Sequence, residues 1–129
     1  YASASAPFAG PGLISSPETI SAKRDAIRAF IAATLDAMEQ ISANPELGVD
    51  AAAKVVPEVA ADEATRAKSL AVMKATINVW RGLVQESEGL GAIDRAGWST
   101  SLEFLRGLPD QGIRADLTVE ELLDESLLP

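Results

Sequence analysis

The chain has 129 residues, of which 19 are acidic and 11 basic, giving a net charge of −8 and a pI of about 4.4. A surplus of carboxylates repels phosphate backbones and anionic lipid, which argues against nucleic acid or an anionic membrane surface as a partner. The chain contains no cysteine and no histidine, so its own residues supply no thiolate site, no zinc finger and no histidine base.

No apolar run reaches the length of about 18 residues needed to span a bilayer. No basic stretch followed by an apolar one marks a secretion signal. Hydrophobic residues make up 47 % of the chain, with alanine prominent among them, and aromatics only 5 %. The few large side chains therefore carry the packing.

In chain order, residues 1–16 are small, rich in glycine and proline, and almost uncharged. Phe8 to Ser16 holds the one stretch that reads as a strand, centred on Leu13 and Ile14. Two glycines and two prolines keep it short. Leaving Phe8, Leu13 and Ile14 in water would cost roughly 1.5–3 kcal/mol each.

Ser16 can cap a short turn that has Pro17 in its first position. Ile27, Phe30, Ile31, Leu35, Met38 and Ile41 then recur at helical spacing, with charged residues mostly off the stripe. This pattern predicts an amphipathic helix over 22–42. Asn44-Pro45-Glu46 reads as cap, first-turn proline and dipole-compensating carboxylate of a second helix, which Pro57 ends.

Asp62 is expected to cap a third helix running to about Arg81. Leu70, Met73, Ile77, Trp80 and Val84 form one stripe. Val72 and Val79 lie on another side, which predicts cover on more than one face. Gly82, Gly89 and Gly91 mark a loose region over 84–92. Asp94 caps a fourth helix that carries Trp98, Leu102 and Leu105 and stops at Gly107 and Pro109. Thr118 and Glu121 form a capping box before a last short helix over 119–126. By pattern alone the chain is mainly α, with about five helices and one short N-terminal strand.

Several motifs in this order resemble one family. Tyr1-Ala2, Gly10, Gly12 and Leu13-Ile14-Ser15-Ser16 are similar to the second crossover of NMT1/THI5-like solute-binding proteins of ABC importers. Ile27-Arg28-Ala29-Phe30 resembles the helix that follows it there. Asn44-Pro45-Glu46, Gly91-Ala92-Ile93-Asp94 with Trp98, and Leu117-Thr118 through Pro129 resemble later parts of the same family.

The resemblance implies a periplasmic-binding-protein type II fold, two α/β lobes with a ligand held between them. Residues 1–16 would be the crossover with its strand. Residues 17–129 would be the helical C-terminal part of the first lobe, an incomplete domain whose sheet lies upstream. The implied partners are a small-molecule solute, the ABC permease and the upstream part of the same chain. The implied location is the periplasm, or a lipid anchor outside the cell. No cofactor is implied. An unpaired strand edge at the N-terminus would also favour self-association.

Tyr1, Ser3, Ser5 and Phe8 sit where the family's chain passes the cleft mouth. They read either as ligand contacts, for a sulfonate, nitrate, thiamine-pyrimidine or riboflavin-like molecule, or as a small-residue connector. The family often carries Asp at the position of Ser3 and Tyr at that of Ala9, so this chain lacks two groups suited to a cationic or aromatic ring.

Trp80 and Trp98 lie on apolar stripes and read as packing. Glu120 and Glu121, with Asp124 and Glu125, read as cap and dipole partners rather than as a metal or catalytic pair. Arg24, Arg28, Arg66, Arg81 and Arg106 read as solvated. The expected function is that of a non-enzymatic transport component. The alternatives are a stand-alone helical interaction domain and a pyrimidine-synthase-like enzyme, whose relatives use an active-site histidine that this chain does not contain.

Overall fold

The computed structural model describes residues 12–110 and 112–129. Among these the chain is helical, with no strand. In order come α1 (Pro17–Ala43), α2 (Pro45–Ala53), a 3-10 turn at Pro57–Ala60, α3 (Glu63–Trp80), α4 (Leu83–Glu88), α5 (Arg95–Arg106), α6 (Val119–Leu122) and a closing 3-10 turn at Glu125–Leu127.

The expected N-terminal strand is corrected by this structure. Residues 12–16 form no regular element, and Leu13 and Ile14 are exposed, Ile14 at 98 %. A strand needs a ladder of partners, and no second strand is present among the described residues to supply one. The earlier part of that stretch, including Phe8, lies outside the described residues.

Helix starts follow short-range chemistry. Ser16 Oγ accepts the Thr19 N–H at 3.2 Å, so α1 begins at Pro17 rather than at the expected Ala22. Lys23 interrupts α1 with non-helical backbone, at φ −127° and ψ 24°. Asn44 Oδ1 accepts the Glu46 N–H at 3.2 Å, and Asp62 Oδ1 accepts the Thr65 N–H at 2.7 Å. Asp94 Oδ1 accepts the Gly97 N–H at 2.9 Å. Thr118 and Glu121 exchange the two bonds of a capping box, at 3.3 and 2.9 Å. In each case a side-chain oxygen satisfies a donor that the first turn leaves orphaned.

The chain divides into two compact units. One comprises Arg28–Ala92 with Pro129, and thus most of α1, then α2, α3 and α4. Val49 of α2, 2 % exposed, and Ile77 of α3 are its buried large apolar side chains. Gly48, also buried, lies where three helices converge. A methyl group placed on it would stand 2.7 Å from Met73 Cε of α3 and 3.2 Å from Ile41 Cγ2 of α1.

Around this seam, Arg66 of α3 pairs with Asp50 of α2 at 2.7 Å and lies 3.7 Å from Glu46. Ser69 Oγ of α3 donates to the Val59 carbonyl of the 3-10 turn at 2.6 Å. The α1 stripe of Ile27, Ile31, Leu35, Met38 and Ile41 is half-buried, while Phe30, expected on it, is 58 % exposed. On α3 the expected second cover is not there: Val72 and Val79 are exposed, Val79 at 73 %.

The other unit comprises residues up to Ile27 and Ile93–Leu128. Leu102 and Ser101 of α5, Val119 of α6 and Leu127 of the closing turn are its buried side chains. Charged groups fasten the C-terminal segment around them. Arg24 donates to the Ser126 carbonyl at 3.1 Å and to its hydroxyl at 2.7 Å. Arg95 binds Glu125 and lies 3.5 Å from Glu120. Arg106 donates to the Leu117 carbonyl, and Arg114 pairs with Glu121 at 2.9 Å. The expected last helix stops at Leu122 because Leu123 is already extended, with φ −116° and ψ 130°.

Candidate functional site

Tyr1, Ser3, Ser5 and Phe8, expected at a ligand cleft, all lie outside the described residues. Trp80 and Trp98 are half-buried on their helices. The acidic residues near the C-terminus are occupied structurally. The Thr118 N–H, and after it the Arg114 guanidinium, hold the Glu121 carboxyl below the usual range. The hydroxyl and N–H of Ser126 do the same for Asp124. Among the described residues no three Asp, Glu, His or Cys side chains come together as a metal site, and no helix is long and apolar enough to cross a membrane.

The structure brings together a set of residues that the linear pattern separates. Within the Arg28–Ala92 unit lies a cavity of about 430 Å³, lined by Glu39, Ala43, Arg81, Gln85, Glu86 and Leu90. Glu39 and Ala43 come from the last turns of α1. Arg81 directly follows α3, and its φ of −109° and ψ of 77° take the chain out of that helix. Gln85 and Glu86 come from α4, a helix that the spacing of Gly82, Gly89 and Gly91 disguised as loop.

Gln85 holds the wall in shape. Its Oε1 accepts the Gly82 N–H at 3.1 Å, and its Nε2 donates to the Ala92 carbonyl at 2.7 Å. One amide thus ties the start of α4 to the far side of the loop that carries Leu90. That loop turns on positive-φ glycines, and at Gly91 (φ 92°) it presses against the Leu35 side chain of α1. A methyl group there would stand 2.9 and 3.0 Å from the two Leu35 Cδ atoms.

The charges on the cavity are free. Glu39, Arg81 and Glu86 belong to none of the ion pairs among the described residues. Arg24, Arg66, Arg95, Arg106 and Arg114, in contrast, each hold an oxygen. The reading of arginines as solvated is therefore corrected for Arg24, Arg66 and Arg106. Arg81 alone among the described arginines has no partner in the structure. No family model, no curated protein and no solved structure matches the chain.

Proposed function

We propose that this chain is part of the extracytoplasmic solute-binding component of an ABC importer, a transport protein rather than an enzyme. Its sheet and the walls of its ligand cleft would come from sequence upstream of Tyr1. The observation that carries the reading is apolar surface left uncovered. Val55, Val72, Val79 and Leu83 of one unit are large apolar side chains facing water, and surfaces of this kind mark contacts with another element. A two-lobed α/β protein would cover such faces with its own sheet.

The ordered resemblance of Tyr1-Ala2, Leu13-Ile14-Ser15-Ser16, Asn44-Pro45-Glu46 and Gly91 to Trp98 points the same way. On this reading Tyr1, Ser3, Ser5 and Phe8 approach a small organic or anionic solute. The permease is the partner, and the protein is periplasmic, or extracellular and held by a lipid anchor. The same exposed side chains also favour a second reading, a helical interaction domain that works without ligand.

The test is a thermal-shift screen on two chains, this one and one extended upstream to the start of its gene. The panel is alkylsulfonates, taurine, nitrate, pyrimidine precursors and riboflavin. A ligand at a hundred times its Kd stabilises the state that binds it by about 2.7 kcal/mol. A shift in the extended chain alone supports the importer reading. No shift in either, with this chain folded and monomeric, overturns it and leaves the interaction domain.

A further inference from the structure

The cavity above α4 has a composition that specifies a ligand class. Its volume falls within the range of small-molecule sites, roughly 300–1,000 Å³. Its lining combines Ala43 and Leu90 with two carboxylates and one guanidinium. A guanidinium is a planar fork of donors suited to a carboxylate, and carboxylates accept from ammonium groups. None of the three charges is spent on a protein partner. Gln85 clamps the backbone between Gly82 and Ala92, while the exposed Glu39, Arg81 and Glu86 side chains are available to a ligand.

We propose that this cavity binds a small amino-acid-type zwitterion, its carboxylate on Arg81 and its ammonium on Glu39 or Glu86. The three side chains sum to one negative charge, so a ligand with a second cationic group, such as a basic amino acid, leaves no charge unpaired and binds best. This site uses none of the residues assigned to the cleft in the importer reading, and it requires neither the upstream sequence nor the permease.

The experiment is an amide NMR titration of the 129-residue chain with L-lysine, L-alanine, butylamine and acetate. Lysine is expected to shift resonances at 39–43 and 81–92, with alanine weaker and the two single-charge probes weaker still. Arg81→Gln is expected to weaken lysine and alanine by about tenfold or more, as the loss of a charged hydrogen bond implies, and to leave butylamine unchanged. Should Arg81→Gln fail to fold, Glu39→Gln with Glu86→Gln provides the check: the preference for lysine over alanine should disappear.

Three results would overturn the proposal. The first is no shift with lysine up to about 10 mM, beyond which a small-ligand site has little meaning. The second is lysine binding unaltered in folded Arg81→Gln. The third is acetate or butylamine matching lysine. Since none of these probes is in the transport panel and only the present chain is used, failure here leaves the importer reading untouched, and the reverse also holds.

Discussion

Gly48→Ala opposes two well-calibrated effects at one atom. Gly48 lies inside α2, where exchanging glycine for alanine favours the helix by about 0.8–1 kcal/mol. The added methyl group, however, would stand 2.7 Å from Met73 Cε and 3.2 Å from Ile41 Cγ2. Overpacking of this kind costs about 1–3 kcal/mol. Met73 Cε is the end of a flexible, half-buried side chain, so the lower half of that range applies. The net expectation is a loss of up to about 1 kcal/mol for the single variant.

Removing the obstacle reverses the sign. In a Met73→Ala background the collision with Cε is gone and the helical gain remains, so Gly48→Ala should then stabilise by as much as about 1 kcal/mol. Urea midpoints of the four chains, with equal slopes, give the coupling energy directly. A value of about 1 kcal/mol or more supports the close approach of Gly48 in α2 to Met73 in α3. Effects of Gly48→Ala that agree in the two backgrounds to within about 0.5 kcal/mol would refute it.

Other expectations follow from the same structure. Leu102→Ala and Leu127→Ala each remove a buried side chain and should cost about 2–5 kcal/mol in chemical denaturation, whereas Val79→Ser on the exposed face should stay within about 0.5 kcal/mol. Asn44→Ala removes the cap of α2 and should cost about 0.5–2 kcal/mol, with Asn44→Asp restoring it. Ser42 Oγ is buried without a hydrogen-bond partner, so Ser42→Ala should be neutral or stabilising, and a clear loss would mean that the hydroxyl is satisfied in solution.

The Thr65 N–H, and then its hydroxyl, hold the Asp62 carboxyl below its ordinary value of 3.8. The stabilisation this gives is complete above that value and fades as pH falls through the lower folded value. Asp62→Asn keeps a capping oxygen but cannot titrate. Its urea midpoint should therefore fall less than the parent's between pH 5 and 2, and parallel curves would dispose of the assignment.

How far the sequence reached depends on the range of the physics involved. Helix starts at Asn44, Asp62, Asp94 and Thr118 were legible because a cap involves residues two or three apart, and every one is realised. The α1 stripe was legible in its period but not in its depth. Phe30 shares the spacing of Ile27 and Ile31 and still faces water, since periodicity says which side a residue takes, not whether anything covers that side.

The strand at Leu13 failed for the same reason in stronger form, because pairing is a property of two segments. α4 escapes the sequence pattern because Gly82 and Gly89, glycines that read as loop, stand as its two caps. The charged cavity had no linear signal at all. Glu39 is more than forty positions from Arg81 (by sequence number), and only folding sets them around one space.

Gly91 carries a consequence for anyone building a library on this chain. Its backbone sits at a φ of 92°, which L side chains rarely adopt, and the space where a side chain would go is already filled by Leu35. A saturation scan would therefore report an intolerant position on grounds of backbone and packing alone. Two separate obstacles stack there, and relieving one leaves the other in force. Leu35→Ala would clear the space at position 91 but not the backbone conformation, so a side chain there stays strained even in that background.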